Sequence, residues 1–263
     1  MTQSTGSRAR RTATSTRAVR IEPSHRRVRV RTGGEWIADT TRPLLMLEEG
    51  LTPVYYLPKA DVRMELFEPT AKRTRCDTKG EASYYTLRLG DRVEQSVAWS
   101  YEQPIAGQEQ LAEHISLYWG RMDQWFEEDD EVFVHARDPY KRINTLHSSR
   151  HVRVEVAGEV VAETRRPVLL FETGLPTRYY IPQQDVRLEL LETSESHTQC
   201  PYKGIASYHS VRAGGELYRD IVWHYPFPLT ECPKIEGLLA FYNEKVDLYV
   251  DGELEERPRT PFS

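Results

Sequence analysis

The chain is short of cysteine. Its 263 residues hold only Cys76, Cys200 and Cys232, with no C-x-x-C pair. Such a set does not build the disulfide framework of a small secreted fold, so a reducing, cytoplasmic setting is expected. It is also poor in metal-ligand spacing: one thiol per candidate site and no H-x-H leave no expected metal site. No cofactor motif is present either. The sequence lacks G-x-x-x-x-G-K-[S/T], G-x-G-x-x-G after a strand, H-E-x-x-H and G-x-S-x-G. No apolar run reaches the roughly 20 residues that span a bilayer, so no membrane partner is expected.

Positive charge is scarce outside the N-terminus. The net charge is −5, yet residues 1–27 carry seven arginines against Glu22 alone, which leaves a body near −11. An acidic body offers no groove for phosphates, so no specific nucleic-acid partner is expected. Residues 1–24 are rich in Ser, Thr and Arg and lack a secretory apolar stretch; they read as a disordered basic tail, and the composition also admits a transit peptide.

What the chain does have is a repeat. "RRVRVRTGGEWIADTTRPLLMLEEGLTPVYYLPKADVRMELFEPTAKRTRCDTKGEASYYT", residues 26–86, aligns with residues 150–210 without a gap. The offset is 124 throughout, from Arg42 to Arg166, Pro58 to Pro182 and Cys76 to Cys200, and about half the positions are identical. It also carries Trp99 to Trp223 and Tyr101 to Tyr225. A period this long means two copies of a whole domain rather than a solenoid. The expected division is a first domain over 25–138, a linker over 139–149, a second domain over 150–254 and a tail over 255–263. Together the copies form a fused pseudo-dimer.

Each copy reads mainly as β. "HVRVEVAGEVVAET" alternates and turns at Ala157-Gly158, a hairpin pattern. "RPVLLFET" and "RYYIP" are short apolar strands; "QQDVRLELLE" reads as a helical turn and then a strand. A second hairpin turns at Gly214-Gly215, and at Gly90-Asp91 in the first copy. Near the end of the first copy, Leu111, Ile115, Tyr118, Trp119, Met122, Trp125 and Phe126 recur at helical spacing. That predicts an amphipathic helix, followed by a strand at "EVFVHARDP". The second copy predicts a shorter helix and then the strand "VDLYVDG". The fold class expected is mainly β with some α: two antiparallel β domains, each with one short-to-medium helix near its C-terminal end.

The candidate sites lie in the repeat. "CDTKG" and "CPYKG" place Cys76 with Lys79 and Cys200 with Lys203, each directly before a strand. Pro201 and Gly204 make a rigid turn, which is one sufficient reading. A lysine beside a thiol also increases the thiolate fraction, and it can hold a phosphate or carboxylate. Aromatics recur nearby: Tyr56, Tyr84, Trp99 and Tyr101 in one copy, Tyr180, Tyr208, Trp223 and Tyr225 in the other. They fit a core or the lining of a cleft. Arg42 and Arg166 open a strand in each copy, as surface ion pairs or as anion clamps. His197, His209 and His224 face Arg73, Tyr85 and Ser100 in the other copy, so no shared site uses them.

The series "ETRRPVLLFETGLPTRYYIP", "CPYKGIASY", "DIVWHYPFP" and "VDLYVDGE" resembles the family catalogued as domain of unknown function 427, also filed under a nucleotidyltransferase name. The match spans nearly all of both copies, with "CDTKGEASYY" departing from the motif in the first. The resemblance implies a small antiparallel domain, β-tent-like in arrangement. Nucleotidyl transfer would need converging carboxylates for Mg²⁺, typically Gly-Ser followed by Asp-x-Asp, and neither pattern is present. Three readings follow: a binding module for a small anionic ligand in a Cys-Lys/aromatic cleft, an enzyme of nucleotidyltransferase type or one using the Cys200–Lys203 turn, and a structural or interaction protein without a ligand.

Overall fold

A computed structural model describes residues 18–260 and 262–263. The expectations for residues 1–17 lie outside the described residues. The chain divides into two units, up to Asp130 and from Glu131 onward.

Ten principal strands build the first domain: β1 (Val19–Pro23), β2 (Val28–Thr32), β3 (Glu35–Thr40), β4 (Leu44–Glu48), β5 (Val54–Pro58), β6 (Phe67–Cys76), β7 (Gly80–Leu89), β8 (Arg92–Pro104), β9 (His114–Leu117) and β10 (Gln124–Glu127). Ten more build the second: β11 (Ile143–His147), β12 (Val152–Val156), β13 (Glu159–Thr164), β14 (Val168–Glu172), β15 (Arg178–Ile181), β16 (Leu191–Cys200), β17 (Gly204–Ala213), β18 (Glu216–His224), β19 (Leu239–Phe241) and β20 (Asp247–Val250). The large sheets run β1-β4-β5-β9-β8-β7-β6 and β11-β14-β15-β19-β18-β17-β16. In the small sheets β2 lies between β10 and β3, and β12 between β20 and β13. The two domains therefore have the same topology, built from antiparallel pairs.

Local chemistry sets the hairpins. Ala157 and Gly158 both take positive φ, 52° and 76°. That is the turn whose twist matches the flanking strands. Alternation then aims Val152, Val154 and Val156 inward, where they meet Leu169, Ile181, Val211 and Val222 of the large sheet. This is the core between the two sheets of the second domain. The opposite face of that large sheet carries a second cluster: Tyr180, Tyr208, Trp223 and Tyr225 with Cys232 and Ile235.

Three expectations are corrected. Among the described residues there is no α-helix, only short 3-10 turns. The periodic stretch of the first domain folds as a 3-10 turn (Glu109–Leu111), β9, a second 3-10 turn (Trp119–Arg121) and β10. Its apolar residues are spent differently from those of a helix. Ile115 and Leu117 lie on β9, which fills the gap between β5 and β8 and satisfies both their edges; Trp119 and Trp125 stack at 4.3 Å. The second domain does the same, with a 3-10 turn (Pro233–Ile235) and β19 between β15 and β18. Next, "EVFVHARDP" is not a strand beyond its first residue: a two-residue strand ends at Glu131, and Val134 has φ 71°. Finally, Val186, Leu188 and Leu190 belong to 3-10 turns and a single bridge to Ala162, with the strand starting only at Leu191.

The repeat is longer than its sequence identity. β1 pairs Val19 with Glu48, and β11 pairs Ile143 with Glu172, again 124 apart. Residues 143–147, assigned from sequence to a linker, are thus the first strand of the second domain. At the other end Leu57 pairs Ile115 as Ile181 pairs Leu239. The register is kept until one residue drops out between β19 and β20, where Leu248 meets Val154 as Trp125 meets Val30.

Candidate functional site

The turn after β6 presents Cys76 and Lys79; the turn after β16 presents Cys200 and Lys203. Four strand spacings separate β7 from β4, about 19 Å in a flat sheet. Yet Lys79 Nζ donates to Glu48 Oε2 at 2.6 Å. Lys203 donates to Glu172 in the same way. Each large sheet must therefore curl on itself, and the lysine–glutamate pair clasps the two limbs of the curl. The aromatics fill the concave side. Tyr56 and Tyr180 are fully buried, and Tyr84, Tyr101, Tyr208, Trp223 and Tyr225 nearly so. Trp99 Nε1 donates to Tyr56 Oη at 3.1 Å, and Trp223 Nε1 to Tyr180 Oη at 3.1 Å. Tyr208 Oη bonds Thr198 Oγ1 at 2.7 Å.

The clasp is buried. Side-chain exposure is 7% for Lys79 and 12% for Glu48, and 12% and 5% for Lys203 and Glu172. Burial alone would push the Glu172 carboxyl up; Lys203 and Lys141 outweigh it and hold the carboxyl below its usual range. Burial would lower Lys203, but Cys200 and Glu172 keep it above its ordinary value and charged. Burial raises the Cys76 thiol, while Thr78, with its hydroxyl 3.2 Å from the sulfur, and Lys79 pull it down further, so the net position is below normal. Cys232 is pushed up to about 12 by burial.

The candidate residues from the sequence do not all meet. Cys, Lys and the aromatics share the concave side of each domain. Arg42 and Arg166 do not join them. They bind Asp61 at 3.0 Å and Asp185 at 3.0 Å. They also lie six residues from Glu48 and Glu172, about 20 Å along extended chain. Among the described residues no group of three His, Cys, Asp or Glu is placed to hold a metal.

Sequence reasoning missed four residues. Glu48 and Glu172 are identical at the repeat offset, so the alignment carried their signal. The others are Lys141 and Arg142. Lys141 Nζ reaches Glu172 Oε1 at 2.9 Å. Exposed Arg142 lines an open depression of about 400 Å³ together with Asn144, Phe171, Glu172, Thr173 and Thr177. Position 142 corresponds to Ala18 in the first domain. Nothing marks these two residues in sequence, because they precede the stretch of recognisable identity.

The geometry defines a class: a tandem protein of two curled antiparallel β domains, each locked by a buried Lys–Glu clasp over an aromatic interior. The family model for the domain of unknown function DUF427, which carries a nucleotidyltransferase-type name, matches residues 20–128 and again residues 144–252. The chain belongs to this family and holds two copies of its domain. A search of curated proteins returned no match.

Proposed function

We propose that the protein is a cytoplasmic binding protein whose second domain holds a small anion, a carboxylate or phosphate, in the depression beside Glu172. One observation carries this reading. The negative charge of Glu172 is shared by Lys203 and Lys141, and Arg142 stands at the rim of the same open depression. The two lysines neutralise the carboxylate, so the exposed Arg142 guanidinium is left to attract an anion, and its planar shape suits bidentate pairing with one. The first domain has the clasp and the aromatics but Ala18 in place of Arg142, so the second domain is the competent one. The three free cysteines fit a reducing compartment. Nucleotidyl transfer gains no support from this constellation, which supplies one carboxylate where Mg²⁺ chemistry uses several.

Thermal shift against phosphate, citrate, nucleotides and acidic sugars tests the reading. A ligand at a hundredfold its Kd should stabilise the wild type by about 2.7 kcal/mol. Arg142→Ala should keep the unliganded Tm and lose that shift. If Arg142→Ala and Lys141→Met both respond to every hit like wild type, the anion site is not here.

A further inference from the structure

Arg178 and Glu244 form a bidentate ion pair in the second domain, with both N–O distances 2.7 Å. Arg178 is 8% exposed and Glu244 fully buried. The guanidinium lies 5.5 Å from the Trp223 ring and 5.9 Å from Tyr242, and these rings pack at 4.6 Å. This assembly receives the C-terminal segment. Thr260 Oγ1 donates to Glu244 Oε1 at 2.6 Å. Phe262 lies 6.0 Å from Tyr242 and 6.0 Å from the Arg178 guanidinium. Arg257 bonds Asp247 at 2.7 Å.

The first domain gives a control within the same chain. It has the same aromatic pair, Trp99 and Tyr118 at 4.6 Å. It has Val54 where Arg178 stands, and Gly120 and Arg121 where the loop carries Glu244. The fold thus forms without the ion pair, and Tyr118 remains 41% exposed. A buried ion pair seldom stabilises a core better than apolar residues of similar size. Its presence only where a segment docks indicates a receptor for that segment.

The receptor and its occupant are held unequally. Arg178 and Glu244 are fixed by each other and by the sheet. Among its described residues, the segment is held by one hydroxyl bond to a carboxylate, by Phe262 against the Tyr242 ring and the Arg178 guanidinium, and by a half-exposed ion pair of little strength, and Phe262 is 43% exposed. Such a segment exchanges.

We propose that the Arg178–Glu244–Tyr242 surface is a peptide-docking site, filled in cis by Arg257, Thr260 and Phe262 of the C-terminal segment. It accepts in trans an extended peptide of the same chemistry: a hydroxyl side chain for Glu244 and, two residues later, an aromatic ring for Tyr242 and Arg178. The tethered segment competes at an effective concentration of the order of millimolar, so the intact chain masks its own site.

The test uses the full chain with Thr260→Val and Phe262→Ala, which opens the site and leaves the receptor intact. A labelled peptide EERPRTPFS is titrated by fluorescence anisotropy. The opened chain should bind it at least tenfold more tightly than wild type. Peptides carrying the Thr→Val or Phe→Ala change should each bind at least tenfold more weakly to the opened chain. Equal binding by opened and wild-type chains overturns the proposal. So does equal binding of the three peptides, an arm that leaves the receptor's folding untouched.

Discussion

The two domains share topology, register and clasp, and differ in what surrounds the clasp. In the first, Lys79 is the partner of Glu48 among the described residues. In the second, Glu172 has two ammoniums, Lys203 and Lys141. The shared part is what the curled sheet needs in order to close. The unshared part, with Arg142, Arg178, Glu244 and the docked tail, sits on top of a fold that stands without it. Duplication thus separates structural chemistry from candidate functional chemistry within one molecule.

The largest effect should come from breaking the clasp. Lys79→Met removes the cation that Glu48 pairs with among the described residues and should cost about 3–5 kcal/mol. Lys203→Met should cost less, about 2 kcal/mol, because Lys141 still neutralises Glu172. Calorimetry that resolves the two unfolding transitions checks the order; a reversed ranking would mean the clasps are not equivalent.

The clasp turns should be equally sensitive. Gly80 and Gly204 have φ of 106° and 100°, and an added Cβ would come within 3.1 Å of the Gln103 and Phe227 carbonyl oxygens respectively. Gly80→Val and Gly204→Val should each destabilise their own domain by about 3 kcal/mol. Tolerance at one and not the other would show that the turns differ despite their register.

A smaller effect concerns pH. In the second domain His209 and His224 stack at 5.1 Å; burial lowers both, and His224 is lowered further by His209. Groups with depressed imidazole pKa values stay neutral when folded and take up a proton when unfolded. Stability is therefore full above about pH 6.5 and falls as pH drops below that value. His209→Tyr with His224→Ser installs the first domain's residues and should flatten the decline in urea midpoint from pH 7 to pH 5. The first domain should keep the dependence due to His114, which burial also lowers.

The smallest effect is expected at Arg166. Its pair with Asp185 is exposed on the arginine side, at 63%. Arg166→Ala should change stability by no more than about 0.5 kcal/mol and leave any anion-induced thermal shift intact. Loss of that shift would bring the arginine back into the site.

Much of the fold was legible. Alternating valines and the Ala157-Gly158 turn announced their hairpin, and the 124-residue offset announced two copies. The helix reading failed for a physical reason. Ile115 has partners at helical spacing in Leu111, Tyr118 and Trp119, but the open edges of β5 and β8 offered more hydrogen bonds than an isolated helix could recover. The site was half legible. Cys, Lys and the aromatics were visible as repeated letters; that Lys79 and Lys203 are buried rather than exposed on a turn was not, because the sheet's curl brings a distant strand over them.

Sequence alone determined that there are two domains, that they are mainly β, and which residues repeat, since periodicity and identity are properties of the string. Tertiary structure decided the rest. Residues 143–147 join the second domain because their strand finds β14, and Lys203 meets Glu172 because a sheet curls. Lys141 and Arg142 adjoin that carboxylate because their segment leads into β11 beside it. None of these contacts is local in sequence, so only the folded chain brings the groups together.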